Sequence, residues 1–174
     1  MEPDAQKILL ERARHLARKA TPEETGIATI EVVEFRLAQE RYAVETKHVA
    51  EVHPLKELTL VPCTPPFVVG IVNVRGHIVT VLDLKRFLDL PTQGLTDLHC
   101  VILVRLDDFE VGLLADVITG VRLIPIDKLQ PSLPTLSAAT NDCLRGVTPD
   151  AVTVLDLERM LADPRLIVHE EVHV

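Results

Sequence analysis

Tryptophan is absent from this chain, and aromatic residues of all kinds make up only 3% of it. One tyrosine and four phenylalanines offer no platform for stacking bases, and a net charge of −8 offers no basic surface for phosphates. Nucleic-acid binding is excluded as a class on both grounds. Cysteine is scarce as well: Cys63, Cys100 and Cys143 are odd in number and widely spaced, with no C-x-x-C. They make neither a zinc pattern nor a disulfide framework, and a reducing cytosol is the expected compartment. No apolar run approaches the roughly 18 residues of a membrane span. Glu2 and Asp4 open the chain without the apolar stretch of a secretion signal. The phosphate-binding loop, the dinucleotide fingerprint and the nucleophile elbow are all missing.

What is present is aliphatic. Apolar residues reach 47% in 174 residues, enough for a core of Val, Leu and Ile, and twelve prolines with seven glycines suit many short strands joined by turns. One phrase occurs twice. T-V-L-D-L-K-R-F-L at Thr80–Leu88 returns as T-V-L-D-L-E-R-M-L at Thr153–Leu161, identical at seven of nine positions. An Arg-Gly pair precedes each copy (Arg75-Gly76 and Arg145-Gly146). A weaker apolar echo links Tyr42–Val52 to Val111–Val121, so the spacings are 73 and 69 residues. Two copies make no solenoid; they predict two related β-rich subdomains, each ending in a short helix. The expected boundaries are a helical extension and linker over 1–26, subdomains over about 27–92 and 93–165, and a tail over 166–174.

Along the chain, Pro3–Ala20 reads as an amphipathic helix, with Ala5, Ile8, Leu9, Ala13, Leu16, Ala17 and Ala20 on one face. Packing on its own fold is favoured over docking elsewhere or lying on a membrane. Val33, Phe35 and Leu37 point one way from a strand, and Val49 and Val52 read as a buried pair with Glu51 between them. Gly70–Arg75 reads as a turn holding Asn73 and Arg75 between Gly70 and Gly76. Ile78–Leu84 then reads as a buried strand and Lys85–Leu88 as a helical turn. Leu58–Val61 is expected as a short strand, and 126–144 as the least regular part.

Candidate chemistry is sparse. Asp83 and Asp156 hold equivalent places in the repeat and could suggest a carboxylate dyad. Each is followed by Leu and a helix, which favours capping of free N–H groups over catalysis. His169 and His173 share a helical spacing but lack a third ligand, so no metal is expected. Cys63 reads as a free structural thiol. Arg75 stands out because its forked guanidinium suits a carboxylate, on this chain or on a partner protein.

Three stretches carry a resemblance: F-R-L-A-Q-E-R-Y-A-V-E-T-K-H-V-A-E-V (Phe35–Val52), V-P-C-T-P-P-F-V-V-G-I-V-N-V-R-G-H-I-V-T-V-L-D-L (Val61–Leu84) and E-V-G-L-L-A-D-V-I-T-G-V (Glu110–Val121). Over roughly residues 28–165 the chain resembles the CheW-like coupling proteins of bacterial chemotaxis. The resemblance implies two five-stranded, SH3-like barrels packed side by side. It implies a non-enzymatic adaptor without cofactors, bridging the cytoplasmic tip of methyl-accepting chemoreceptors to the regulatory domain of the histidine kinase CheA, and meeting the membrane only through those receptors. By the same resemblance, Val49, Glu51 and Arg75 lie near the receptor-binding groove, with Gly70, Asn73 and Gly76 in the turn beside them. Thr80 departs from the proline frequent in the family. A scaffold of a non-swimming pathway and a small-molecule-binding double barrel are the alternatives.

Overall fold

An uninterrupted apolar run has to be covered on both faces. Val101–Val104 meets that demand by alternation: Val101 and Leu103 enter one apolar cluster, Ile102 and Val104 another. The computed structural model, which describes residues 26–91, 99–131 and 134–166, uses the same device throughout. Its strands are β1 (Thr29–Leu37), β2 (Glu40–Glu45), β3 (Val49–Pro54), β4 (Val68–Val74), β5 (His77–Asp83), β6 (Cys100–Leu106), β7 (Phe109–Ala115), β8 (Val117–Pro125), β9 (Leu144–Val147) and β10 (Val152–Leu155). Its helices are short: α1 (Leu84–Phe87), α2 (Ala138–Asp142) and α3 (Leu157–Leu161).

The strands form two five-stranded sheets, in the orders β8-β1-β2-β10-β9 and β3-β6-β7-β5-β4. The two orders are the same order once the chain is split into β1–β5 and β6–β10. Each sheet takes strands one and two from one half and strands three to five from the other. The sequence spacings return as register: Val81 lies opposite Gly112 and Val154 opposite Ala43, each in the sheet's one parallel pairing. A bulge recurs at the same place, between Val49 and Glu51 in β3 and opposite Glu34/Phe35 in β8. Single bridges, Thr59 to Ile71 and Gln130 to Val147, tie the chain leaving β3 and β8 to the opposite edge and curl each sheet toward closure.

Three cores result. Ile30, Val32, Ala43, Ile124, Val152 and Val154 fill the first sheet, and Val72, Val79, Val81, Val101 and Leu103 the second. The largest core lies between the sheets and draws on both, with Phe35, Tyr42, Phe67 and Phe87 among its members. Phe67 and Phe87 meet edge to face at 5.3 Å, the arrangement their quadrupoles favour. A buried ion pair crosses the same seam. Asp116 accepts from Lys85 Nζ at 2.7 Å and from the Ala38 N–H at 2.7 Å, fastening α1 of one sheet to the β1–β2 turn of the other.

Several expectations need correction. The division at residues 92/93 does not coincide with the sheets, because β6 and β7 join β3–β5; the junction 92–97 itself lies outside the described residues. The Arg-Gly pairs are not equivalent: Arg75-Gly76 forms the β4–β5 turn, whereas Arg145-Gly146 lies within β9, and register matches Gly146 to Gly70. Gly70–Val74 is strand rather than turn. Leu58–Val61 contributes only the Thr59 bridge. Within 126–144 stands a helix that the sequence pattern does not predict, α2, capped by Ser137 Oγ, which accepts the Thr140 N–H. The helix expected over Pro3–Ala20 and the His169/His173 pair lie outside the described residues.

Candidate functional site

The β4–β5 hairpin closes in two residues, Arg75 and Gly76, between the paired Val74 and His77. Both have positive φ, 52° and 86°, which makes a turn whose twist matches the strands it joins. Gly76 occupies this region at no steric cost; Arg75 does not. Asn73 Oδ1 accepts the Gly76 N–H at 2.9 Å and pins the turn from within. Arg75 shares this left-handed conformation with Ala38, Glu57, Cys63, Asp89, Asp107 and Ala151, and differs from them in carrying a long, positively charged side chain that is 76% exposed.

Its partner comes from the opposite edge of the sheet. The β3 bulge at Ala50 reverses which face the side chains take. Val49 and Val52 oppose Val104 and Ile102, on the side of the core between the sheets, while Glu51 and His53 oppose Leu103 and Val101, on the side of the second sheet's own core. The Arg75 guanidinium pairs with Glu51 Oε1, and His53 Nε2 lies 3.0 Å from Glu51 Oε2. The histidine contact, aided by the Arg75 charge and opposed by desolvation, holds the Glu51 carboxyl below its ordinary range. Beside the trio opens a cleft of about 260 Å³ lined by residues that include His53, Lys56, Val72, Asn73, Arg75 and Val101.

Gly70 is set apart from this rim. A Cβ there would collide with the Thr59 carbonyl, whose oxygen accepts the Ile71 N–H at 2.8 Å in the closing bridge. Glycine at 70 lets the two backbones touch. Of the residues singled out in the sequence, Asn73 and Arg75 line the cleft, Glu51 pairs with Arg75, Gly76 completes the turn, Val49 faces the other way, and Gly70 closes the sheet. Arg75 and Glu51 meet across the two edges of one sheet. Val52 is 40% exposed rather than buried, and Val121, its counterpart on β8, is 61% exposed. These two apolar edges escape a reading of the sequence, which carries no sign that β3 and β8 are edge strands.

The first sheet shows what the site could have been. Arg122, the β8 counterpart of His53, bonds Asp150 Oδ2 at 2.9 Å and Glu34 Oε2 at 3.2 Å, and Arg41 lies 3.5 Å from each of those carboxylates. Arg122 holds the Asp150 carboxyl well below the usual carboxylate range. Two cations and two anions satisfy one another there. In the second sheet Glu51 serves both His53 and Arg75, leaving most of the guanidinium free. Asp83 and Asp156 cap helices: Asp83 accepts the Lys85 N–H at 3.0 Å and Asp156 the Arg159 N–H at 3.1 Å, each at a helix start.

Comparison with known proteins agrees with this architecture. The CheW-like domain model matches residues 31–165. Protein FrzA of Myxococcus xanthus is 32% identical over 158 residues, covering 87% of this chain and 94% of that protein. Protein PilI of Pseudomonas aeruginosa is 28% identical over 137 residues, covering 79% and 77%. The crystal structure of the scaffolding protein TtCheW from Thermoanaerobacter tengcongensis superposes with a TM-score of 0.65 at 28% identity, covering 74% of this chain and 89% of that one. With the family model spanning most of its length, the chain belongs to the CheW-like family.

Proposed function

We propose that the protein is a non-enzymatic adaptor coupling the cytoplasmic tips of chemoreceptors to a CheA-type histidine kinase, each of its sheets forming one small SH3-like barrel. The observation that carries the reading is Arg75. A charged side chain at a hairpin tip, mostly unshielded and steered by Glu51, serves a contact outside the chain better than one within it. The cleft beside it is small and mixed in polarity, suited to a few side chains of a receptor helix. The exposed Val52 and Val121 add apolar area along β3 and β8, as protein contacts require. The test is Arg75→Ala. The pair with Glu51 is exposed and screened by solvent, so melting stays near that of the parent. Affinity for a receptor-tip fragment falls by about 2–5 kcal/mol, as for truncation of a desolvated interface charge. A lowered melting point with unchanged affinity would make Arg75 structural and sink the reading.

FrzA and PilI carry names other than CheW, and this favours keeping a second reading: the same adaptor role in a chemosensory pathway other than swimming. A panel of receptor tips from different pathways, titrated against the protein, separates the two by which tip binds.

A further inference from the structure

Four of the five aromatic side chains lie in the core between the sheets; Phe109 alone does not, and it is 49% exposed. It stands at a second cleft, of about 500 Å³, between the β6–β7 turn and α3. Leu106, Phe109 and Leu161 supply the apolar wall, and Asp107, Asp108 and Glu158 the rim. The internal repeat allows a comparison. Its counterpart in the other half lies between the β1–β2 turn and α1, and there the chain covers itself. Ser137 Oγ, at the head of α2, donates to the Leu88 carbonyl at 2.7 Å, and Leu37 and Leu88 are fully buried. The residue matching Leu88 is Leu161, which is only partly buried; among the described residues no donor reaches its carbonyl. One half has its cover, and in the described residues the other does not.

We propose that the segment Lys7–Lys19 of the same chain is the cover of this second cleft. Charge is the first argument. The rim is acidic, in a chain of net charge −8, whereas Lys7–Lys19 carries Lys7, Arg12, Arg14, Arg18 and Lys19 against the single acid Glu11. Apolar chemistry is the second: Ile8, Leu9 and Leu16 fall on one face at helical spacing, matching the wall of Leu106, Phe109 and Leu161. Reach is the third. The chain enters the described fold just before β1, where Thr46 Oγ1 donates to the Glu31 carbonyl at 3.3 Å. Thr46–His48 leads straight into Val49, which pairs with Val104, two residues before Leu106 at the cleft. Residues 20–25, between that segment and the first described residue, can span up to about 20 Å, on the scale of that step.

The lack of tryptophan makes the test direct. In the full chain, Phe109→Trp installs a sole indole at the cleft. Its emission is expected at the short wavelengths of a covered site, unchanged on dilution, and shifts to longer wavelength when Leu9→Asp and Leu16→Asp are added. Emission that ignores those two substitutions overturns the proposal. A blue shift lost on dilution also overturns it, in favour of a second copy as occupant, as does one that appears only on adding the kinase regulatory domain. Should Phe109→Trp fold poorly, hydrogen exchange on the otherwise unaltered chain decides the same question. The Asp107–Phe109 amides lose protection in the Leu9→Asp, Leu16→Asp variant if the segment covers them, and exchange identically if it does not.

Discussion

At position 75 an arginine occupies backbone that favours asparagine or glycine. A left-handed residue with a Cβ costs about 1–2 kcal/mol, and asparagine, whose short polar side chain bonds locally, relieves most of it next to glycine in this turn type. Arg75→Asn is therefore expected to raise stability by about 1 kcal/mol while weakening receptor binding, two effects of opposite sign measurable by melting and by titration. Glu51 gives a pH signature. Its depressed carboxyl stabilises the fold above the ordinary carboxylate value, and that contribution is lost as pH falls through the depressed one. Because His53 is the larger cause, His53→Ala should raise the Glu51 midpoint, followed by NMR, more than Arg75→Ala does. A larger response to Arg75→Ala would mean that the guanidinium, not the imidazole, holds the carboxylate. Both residues are legible as candidates in the sequence, Arg75 from its glycine neighbour and Glu51 through the resemblance. Their pairing is not, since it joins the two edges of a curled sheet.

The strand-to-helix step is the element most fully readable in advance. In T-V-L-D-L the aspartate, the following helix and the apolar strand before it are all local, so both copies fold as the pattern implies. Replacing Asp83 or Asp156 with alanine should each cost about 1 kcal/mol, read from denaturant midpoints; a change much below that would mean that water serves these N–H groups as well as the carboxylates do. Elements that depend on distant contacts mislead a reader of the sequence. Val52 looks buried because it is apolar and close to Val49, but β3 is the edge strand of its sheet and leaves it 40% exposed. Helix α2 is hidden because proline and polar residues surround it, and its anchor, the Leu88 carbonyl, lies 49 residues from Ser137.

At the scale of the molecule, the repeat is visible in the sequence but its interlocking is not. Nothing in the spacing of two copies tells whether strands three to five pair at home or across. The parallel contacts that decide it, β2 with β10 and β5 with β7, join segments remote in the chain. Because both sheets are hybrids around a common core, separately produced 1–92 and 93–174 should each lack a stable tertiary structure, and should recover it on mixing. Circular dichroism and exchange protection measured on each piece and on the mixture check this. Two independently folded pieces would mean that the halves can pair their own strands after all.

The exchange of strands also bears on descent. Once two copies complete one another, neither can be deleted, and neither can drift without consulting its twin, since a change in β1 or β2 is felt by strands inherited from the other copy. Duplication under this arrangement behaves as a ratchet. The freedom left to the copies is confined to what lies off the common seam, at hairpin tips and loops. There the two halves have in fact parted ways: one hairpin ends in Arg75 beside an open cleft, while in the other half Asp150 is locked into a closed charge network.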